Sequence, residues 1–445
     1  MPSVAFVTLG CAKNEVDTDR MRARVLKASY PVVEDSLEAD VVIVNTCSFL
    51  QVSTEEGITT ALEILDERHE LKAEVKLILA GCIPSRYKTD ELKASLPEVS
   101  AFVPSEDEDN IVHYIEQLTN TRAQYFDPGV LRTVEAPFAY IKISEGCDRM
   151  CTFCAIPFIR GRYKSRPSQE IYEEAKALLD GGVKELVLIG QDTGVWGMDF
   201  KADDKDAGKD LADLLALIAD LAQDYNAWLR VLYLQPEGLS EKLLSCIEEH
   251  DALLAYFDIP VQHCNAQILK AMNRSGSYEE LLGTIKMLRS RFKDITVRTT
   301  LIAGFPGETD EQAEELCQFL QEAQFDYAGV FMYSQEEGTA AARMDDQVDE
   351  DTKLSRAQAV QDCIDSIGFA QTAAHVGEIH EVLVDGVEEL EDGSFEYLGR
   401  CWFQAPDTDG VVHLPGINCA IGDKIRVKLT DSFCYELIGE SLSND

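Results

Sequence analysis

The chain has 445 residues, of which 45% are hydrophobic and 27% charged, the proportions of an ordinary globular protein with two or three domains. No apolar stretch approaches the roughly 18 to 20 residues of a membrane-spanning helix, and the N-terminus lacks the features of a signal peptide. We therefore expect a cytoplasmic protein with no membrane partner. In that reducing compartment, clustered cysteines more often bind metal or do chemistry than form disulfides.

The formal net charge is -40, from 80 acidic and 40 basic residues. Such a charge disfavours nucleic-acid phosphates over most of the surface and suits a basic protein partner. It is equally typical of a generally acidic proteome, in which charge serves solubility alone. One sequence does not separate these two explanations.

Residues 1–125 alternate short apolar runs with helical patterns. Buried parallel strands are predicted for three runs rich in β-branched residues, VAFVTLG, DVVIVNTCSF and VKLILAGC. Helices are predicted between them for TDRMRARVLKA and STEEGITTALEILDERHE. This order indicates a doubly wound βαβ domain, whose ligands bind at the carboxyl ends of the strands.

One cysteine follows each of these predicted strands: Cys11, Cys47 and Cys82. Because the carboxyl ends of parallel strands meet on one rim, we expect the three thiols to lie close enough to share a ligand. Three small core cysteines are the alternative, since cysteine is often buried. The repeated strand-end position favours a common site. Three thiolates do not complete a tetrahedral metal site, so one coordination position would stay open.

The polar stretch TNTRAQYFDPGVLRTVEAP predicts a linker to a second domain, residues 135–370. Six apolar runs alternate there with helical patterns: FAYIKIS, KELVLIGQD, AWLRVLYL, AYFDIPVQ, DITVRTTLIAGF and YAGVFMYS. This alternation is typical of a full or partial α/β barrel, in which functional groups lie at the carboxyl ends of the strands.

Residues 373–441 change character. Five short alternating segments predict antiparallel strands and a small OB-like β-barrel. Such barrels commonly bind RNA through basic and aromatic residues. From Ala374 onward, however, the chain has 15 Asp or Glu residues against 4 Lys or Arg. We therefore do not expect nucleic acid as the substrate.

The strongest motif is a second set of three cysteines, Cys147, Cys151 and Cys154, directly after the first predicted barrel strand. Three thiolates at this spacing can hold a four-iron cluster and leave one iron free. A zinc site with a fourth ligand and a redox dithiol are the competing interpretations, and His263 is too distant in sequence to be judged as that ligand. The spacing, with Phe153 beside the last cysteine, resembles the radical S-adenosylmethionine signature. The resemblance implies a 4Fe–4S cluster whose free iron chelates S-adenosylmethionine.

Further residues match this superfamily at other predicted strand ends. Gly304 and Gly307 in TLIAGFPGET resemble its glycine-rich strand, whose backbone lies close to the adenosine, although a tight turn also explains them. Gln191 and Asp192 hold the place where the superfamily presents polar groups to the methionine amine. A strand-end cap is the alternative for both. Gln262 and the histidine after it would also face the barrel mouth.

Four cations, Arg160, Arg162, Lys164 and Arg166, lie within seven residues of this acidic chain. Arginine forks suit carboxylates, so these side chains could hold the methionine carboxylate or an acidic substrate group. Local pairing with surface acids is the alternative for each of them.

Along its whole length the chain resembles the methylthiotransferase family of radical S-adenosylmethionine enzymes. The matching motifs are TLGCAKNEVDTD, NTCSF, AGC, EGCDRMCTFCAIPFIRG, FPGET and the C-terminal barrel. The resemblance implies a transferase with a second 4Fe–4S cluster on Cys11, Cys47 and Cys82, whose open iron carries the inserted sulfur. It also implies that the C-terminal barrel is a TRAM domain and that an electron donor of flavodoxin or ferredoxin type is a partner.

Two branches of this family differ in substrate. One methylthiolates adenosines in tRNA, and the other modifies the β-carbon of an aspartate in ribosomal protein S-12. IRGRYKSR, FDIPVQH and YLGRCWFQAPDTDG resemble the second branch, and an acidic terminal barrel suits a basic ribosomal protein. We expect protein S-12, or the small ribosomal subunit, as the partner. The tRNA activity is one alternative, and a non-catalytic metal-binding ribosome-associated module is another. No catalytic residue beyond the ligands is assigned.

Overall fold

The computed structural model describes residues 1–71, 74–123, 132, 134–390 and 393–442. A parallel sheet, an open α/β barrel and a closed barrel that is antiparallel except for one parallel strand pair follow one another along the chain. Part of the predicted linker, residues 124–131 and 133, lies outside the described residues, as does a short part of the third predicted domain, residues 391–392.

The N-terminal domain contains a parallel sheet of four strands. They are β1 (Val4–Thr8), β2 (Val41–Thr46), β3 (Lys76–Gly81) and β4 (Ala101–Pro104). They lie side by side in chain order. The three predicted strands are confirmed. β4 has only four residues and ends in proline, so it gives little sequence signal.

Helices cover both faces of this sheet. They are α1 (Ala12–Lys27), α2 (Gln51–Glu70), α3 (Cys82–Arg86), α4 (Thr89–Ser95) and α5 (Ile111–Thr119). Val4 and Ile43 pack with α1 and α5 on one face, while Ala5 and Val44 pack with α2 on the other. α1 begins well before the predicted segment because the residue preceding it, Cys11, takes the N-cap position.

The order in which the chain adds strands to the sheet reverses at β1. After α1 it returns along the outer side of β1, where Val32 pairs with Val4, and it then crosses to β2 on the other side. This reversal makes the sheet doubly wound, as predicted. The carboxyl ends of β1 and β2 therefore flank the switch point at which such sheets bind ligands.

The central domain contains eight strands. They are β5 (Phe138–Lys142), β6 (Ser144–Glu145), β7 (Lys164–Ser165), β8 (Glu185–Ile189), β9 (Trp228–Val231), β10 (Tyr256–Asp258), β11 (Thr296–Ala303) and β12 (Tyr327–Met332). β6 and β7 form an antiparallel pair, and the other six strands are parallel, in the orders β5-β8-β9 and β10-β11-β12. Leu253 pairs with Leu229 and links the two sheets. Within the described residues β5 and β12 do not pair, so the predicted barrel is partial.

Helices surround this open barrel. They are α6 (Ile156–Ile159), α7 (Ser168–Asp180), α8 (Leu211–Asp224), α9 (Glu241–Glu249), α10 (Ala266–Ala271), α11 (Tyr278–Arg291), α12 (Asp310–Ala323) and α13 (Glu350–Ala374). The helices α7 to α13 share one large apolar core with the strands. Among the described helices, none combines the length and the hydrophobicity needed to cross a bilayer.

The C-terminal domain is a closed barrel of five strands in the order β13-β14-β15-β17-β16. The strands are β13 (Ile379–Glu389), β14 (Phe395–Cys401), β15 (Val412–Leu414), β16 (Lys424–Phe433) and β17 (Glu436–Ser441). The predicted five-stranded OB-like barrel is confirmed. Its interior is apolar and includes Val382, Val412 and Val427.

The hollow of the central barrel is filled from both neighbouring domains. Tyr140 and Tyr256 of the barrel strands pack in one cluster with Val16 of α1 and Ala405 of the C-terminal domain. Inward-facing barrel residues are therefore covered by protein from above and below.

Ion pairs show which domain lies at each end of the central barrel. Lys142, the last residue of β5, pairs with Asp17 of α1, so the N-terminal domain lies at the carboxyl ends of the strands. Glu185, the first residue of β8, pairs with Arg400, so the C-terminal domain lies at the amino ends. Both cysteine sets are consequently on the same side of the barrel.

Candidate functional site

The three N-terminal cysteines lie at the rim formed by the first three strands. Cys11 precedes α1, Cys47 directly follows β2 and Cys82 is the first residue of α3. Gly10 shows how closely two loops approach here. It has a φ of 106°, and a Cβ added to it would lie 2.7 Å from Cys47 Cβ. The rim therefore requires glycine at this position.

Asn14 connects the loops of this rim and is fully buried. Its Oδ1 accepts a hydrogen bond from the Cys11 thiol at 3.4 Å, and its Nδ2 lies 4.0 Å from the Cys82 sulfur. Nδ2 also donates to Asn45 Oδ1 at 3.2 Å. Asn14 thus orients two of the three thiols. Sequence reasoning missed this residue, although its place three positions after a helix cap is a usable signal.

The thiols of this set influence one another. Burial raises the pKa of the Cys82 thiol to about 11, with Arg160 opposing the rise and Cys47 and Cys11 adding to it. Burial also raises the pKa of Cys47, and Cys11 contributes. A metal that binds these thiols must displace their protons.

The second cysteine set lies in the loop between β6 and α6. The Cys147 N–H donates to Gly161 O at 3.2 Å, and a Cβ on Gly146 would lie 2.3 Å from Arg162 O. Met150 has a left-handed φ of 52°. The loop is consequently folded tightly back on the segment that follows α6.

Neighbouring elements hold this loop from outside. Thr152 Oγ1 donates to Ala271 O at 2.8 Å, and the Ala341 N–H donates to Thr152 O at 2.8 Å. Asn273 Nδ2 donates to Arg149 O at 3.1 Å. The protein therefore fixes the loop through its own hydrogen bonds.

The last thiol of this loop belongs to Cys154, and its pKa is raised. Burial raises the pKa of Cys154 to about 12, the Ile156 N–H opposes this rise by donating to the sulfur at 3.4 Å, and Cys151 and Cys147 add to it. The three thiols of this set thus interact as the first set does.

The separation of the sulfur atoms distinguishes one metal ion from a larger group. In a tetrahedral zinc site, Zn–S bonds of about 2.3 Å bring the sulfur atoms to within roughly 4 Å of one another. In each cysteine set of the described structure, at least one pair of sulfur atoms is more than 4.8 Å apart. Neither set therefore has the close sulfur spacing of a preformed site for a single zinc ion.

The two sets meet where α3 packs against α6. Cys82 forms a small buried apolar cluster with Ala155 and Ile159, and Ala155 directly follows Cys154 in the chain. The proximity joins two domains, so no spacing in the sequence reveals it.

A buried charge network crosses the same seam. Arg160 Nη2 donates to Cys82 Sγ at 3.4 Å, and its Nη1 donates to Asp17 Oδ2 at 2.7 Å. Asp17 also pairs with Lys142, whose ammonium lies 2.7 Å from Glu145 Oε2. The network links α1, the first barrel strand and the loop of the second cysteine set.

The charges in this network are balanced. Burial opposes ionisation of Asp17 and Glu145, but Lys142 and Arg160 outweigh it and lower both pKa values. Burial, and after it the nearby Asp17, raise the pKa of Glu108 well above its ordinary value. Two carboxylates thus face two cations.

Gln191 and Asp192 lie at the barrel rim, just after β8. Gln191 Nε2 donates to Glu145 Oε1 at 3.0 Å, and Asp192 pairs with Arg149. Gln191 Oε1 and Asp192 Oδ1 are buried and have no hydrogen-bond partner among the described residues. Two unsatisfied acceptors on one rim fit the amino group of a ligand.

Gly304 and Gly307 both adopt left-handed backbone, with φ of 75° and 82°. A Cβ on Gly304 would lie 2.5 Å from Lys353 Cγ of α13, so this glycine permits close packing of a helix. No described atom lies within 4 Å of a Cβ placed on Gly307, which therefore faces open space.

His263 is fully buried, and hydrogen bonds among the described residues hold its Nδ1 but not its Nε2. Its Nδ1 accepts the N–H groups of Cys264 and Asn265, and its Nε2 lies 3.4 Å from Glu308 Oε2. The neighbouring Gln262 has a left-handed φ of 70°. These contacts support a structural role for the histidine over a ligand role.

The predicted cations differ in how deeply their side chains are buried. Arg162 pairs with the exposed Asp148 at 2.7 Å, which is the surface pairing given above as the alternative, whereas Arg166 pairs with the buried Glu174 at 2.8 Å. Arg160 differs, because it lies under the domain seam and contacts a cysteine.

A cavity of about 430 Å³ opens beside the seam. Its lining comes from both domains and includes Arg86, Tyr87 and Arg160. Phe158, on its wall, is 55% exposed, which is unusual for an aromatic side chain. The cavity reaches Ile159 and Arg160 at the edge of the seam.

At the opposite end of the barrel, residues 402–409 of the C-terminal domain enter the hollow. Tyr140 Oη donates to Asp407 Oδ2 at 2.7 Å, and Arg230 Nη2 donates to Trp402 O at 2.9 Å. The segment WFQAPDTD thus closes the lower opening, a role that its resemblance to known sequences did not explain.

Three families match the chain. The Radical SAM superfamily matches residues 141–320, the TRAM domain matches residues 376–442 and the uncharacterized protein family UPF0004 matches residues 3–104. The three matches follow the three domains of the structure.

Curated proteins named ribosomal protein uS12 methylthiotransferase RimO are similar over nearly their full length. The protein of Geobacter sulfurreducens is 38% identical over 99% of this chain and 98% of its own. That of Geotalea uraniireducens is 40% identical over 98% of both chains. That of Clostridioides difficile is 36% identical over 99% of both.

Two solved structures share the fold at low identity. The radical S-adenosylmethionine methyltransferase TsrM from Kitasatospora setae has a TM-score of 0.54 and 12% identity, covering 74% of this chain and 72% of its own. The cobalamin-dependent S-adenosylmethionine radical enzyme OxsB has a TM-score of 0.52 and 14% identity, covering 81% of this chain and 56% of its own. At such identity the similarity concerns the fold alone.

Proposed function

This chain belongs to the RimO family of ribosomal protein uS12 methylthiotransferases, and on that basis we propose that it places a methylthio group on the β-carbon of an aspartate in uS12, the protein S-12. It is a radical S-adenosylmethionine transferase. The observation that carries the proposal is the meeting of two three-cysteine sets at one buried seam. The reaction needs a radical source and a sulfur source within reach of the same carbon.

Membership of this family brings a 4Fe–4S cluster and S-adenosylmethionine. We infer that this chain holds two such clusters, because both sets have three interacting thiols set too far apart for one ion. The proposed ligands are Cys147, Cys151 and Cys154 for the first cluster and Cys11, Cys47 and Cys82 for the second. When bound, these groups supply the electron, the radical and the sulfur for replacing a C–H hydrogen by a methylthio group.

We assign the binding of S-adenosylmethionine to Gln191, Gly304 and Gly307. The unsatisfied buried Oε1 of Gln191 can accept from the amino group of the methionine moiety. The open space beside Gly307 allows a ligand to approach the backbone, and its left-handed φ suits glycine. Gly304 acts by keeping α13 close to the strand end.

The protein around the seam has two tasks. Ala155 and Ile159 exclude water from Cys82, which protects reactive species from side reactions. The balanced pairs of Asp17 and Arg160 keep the seam closed without a net buried charge.

Surface charge supports uS12 over tRNA as the substrate. Of the four cations in the C-terminal domain, Arg400 pairs with Glu185 in the interior and Lys424 donates to Asn226 O. In the described part of this domain, only Arg426 and Lys428 remain as exposed cations. Phosphate binding requires several accessible cations, whereas a basic protein is attracted to acidic surface.

The further partners follow from the chemistry. Reductive cleavage of S-adenosylmethionine requires a one-electron donor, for which we propose a protein of flavodoxin or ferredoxin type. The enzyme binds its substrate uS12 either as the free protein or as part of the small ribosomal subunit.

Two single variants test which cysteine set supports cleavage of S-adenosylmethionine and which supports methylthio transfer. Cys147→Ala should abolish reductive cleavage of S-adenosylmethionine, whereas Cys47→Ala should retain cleavage and lose methylthio transfer. Wild type should contain about eight irons per chain and each variant about four. Reductive cleavage by Cys147→Ala, or zinc without sulfide in the wild type, would contradict the proposal.

A further inference from the structure

Arg160 belongs to the loop of one cysteine set, yet its guanidinium reaches the other set. It lies at the end of α6, shortly after Cys154, and its Nη2 is 3.4 Å from Cys82 Sγ across the domain seam. Its side chain is 2% exposed. A single cation therefore connects the two cysteine sites.

The surroundings keep this cation in place. Its Nη1 donates to Asp17 Oδ2 at 2.7 Å, and the other oxygen of Asp17 is taken by Lys142. Glu145 Oε1 lies 3.6 Å from the same Nη1. Because Asp17 is itself held, Arg160 cannot turn away from Cys82 without leaving a buried carboxylate short of a partner.

The seam is also dry. Ala155 and Ile159 pack on Cys82, and all three are buried. Electrostatic interactions are stronger in such surroundings than in water, and an arginine side chain stays protonated. A permanently protonated guanidinium, paired with Asp17 through its other terminal nitrogen, thus lies at hydrogen-bond distance from the Cys82 sulfur and away from solvent.

We propose that Arg160 is a positioning residue that raises the reduction potential of the cluster held by Cys11, Cys47 and Cys82. The inference rests on the proposed function, since it requires that cluster. Reduction adds negative charge that is shared with the sulfur ligands. A buried cation that donates to one of them favours the reduced state, as hydrogen bonds to cluster sulfurs do in general.

Three variants separate this role from a general structural one. Arg160→Gln removes the charge and should lower the midpoint potential of the N-terminal cluster. Arg160→Lys keeps the charge but cannot bridge Asp17 and Cys82 as a fork does, so it should lower the potential less. The matched control is Arg162→Gln, two residues away in the same loop, where the side chain is 80% exposed and pairs with Asp148.

The measurement is a redox titration of the holoenzyme followed by electron paramagnetic resonance. Addition of S-adenosylmethionine should change the signal of the cluster on Cys147, Cys151 and Cys154, which assigns the unchanged signal to the N-terminal cluster. We expect a lowered midpoint for that signal in Arg160→Gln, an intermediate value in Arg160→Lys and the wild-type value in Arg162→Gln. The midpoint of the other cluster should not move.

A wild-type midpoint for the N-terminal signal in Arg160→Gln would overturn the inference. If that variant does not retain the cluster, Arg160→Lys decides, and a wild-type midpoint there overturns it as well. Wild-type protein with one signal and about four irons would instead contradict the second cluster itself, so the two failures are distinguishable.

Discussion

Arg400 of β14 lies 2.7 Å from Glu185 of β8, 215 residues away in the chain. Glu185 is completely buried, and its other oxygen accepts from Arg230 Nε at 2.7 Å. Arg400 is held in turn by Asp385. This network fixes the C-terminal domain at the amino ends of the barrel strands, because each buried charge depends on its partners for compensation.

Glu185→Gln should lower the free energy of unfolding by about 3–5 kcal/mol, since it leaves two buried arginines short of a counter-charge. Urea unfolding of the variant and the wild type measures this loss. The control is Glu241→Gln, whose carboxylate pairs with Arg291 but is 79% exposed, so its free energy of unfolding should stay close to that of the wild type. Equal losses in the two variants would contradict this account of the interface.

Glu174 makes a pH-dependent contribution to stability. Burial opposes its ionisation, but Arg166 and Arg132 outweigh it and lower its pKa from 4.5 to about 2. Because the pKa is lower in the folded state, the stabilisation is present above about pH 4.5 and is lost as the pH falls toward 2. Glu174→Gln should therefore destabilise the cluster-free protein at about pH 6.5 and much less at about pH 3, as measured by urea unfolding. A difference that stays constant over this range would show that the carboxylate charge is not responsible.

Gly10→Ala should disrupt the N-terminal cysteine site alone. The new Cβ would lie 2.7 Å from Cys47 Cβ, at a φ that side chains rarely adopt. Iron and sulfide should fall to about half of the wild-type content, while cleavage of S-adenosylmethionine persists. Gly283→Ala, in α11 with no described atom within 4 Å of the added Cβ, should retain full iron content. Full iron in Gly10→Ala would argue against a site at this rim.

Acidic surface of the C-terminal domain should contribute to the capture of uS12. We expect Glu388→Lys with Glu440→Lys, both exposed, to raise the KM for uS12 by roughly three- to tenfold at low salt and less at high salt. The control pair, Asp203→Lys with Asp251→Lys, changes the same charge on exposed positions of the central domain. Steady-state kinetics at two ionic strengths compares the KM of the two double variants. An equal rise of the KM in both would show that the net charge of the protein, and not this surface, attracts uS12.

The strand-end positions of Cys11, Cys47 and Cys82 could be predicted because short apolar runs mark parallel strands, whose carboxyl ends share a rim. The docking of Cys82 on Ala155 could not, because it depends on packing between domains that are separate in sequence. The limits of the three domains, 1–125, 135–370 and 373–441, remain predictions.

Arg160 is a second feature whose role the sequence could not predict. In the sequence it is one of four clustered cations, and nothing in the spacing separates it from Arg162. Burial separates them, since one side chain lies in the seam and the other in solvent. Likewise the choice between a partial and a full barrel depends on whether β5 and β12 pair, which local pattern does not determine.

The most direct test of the account is mass spectrometry of uS12 after incubation with the reconstituted enzyme, a reductant and S-adenosylmethionine. Wild type should add one methylthio group in place of one hydrogen on an aspartate of uS12, and Cys47→Ala should add none. Modification of tRNA adenosines with uS12 left unchanged would contradict the proposed substrate.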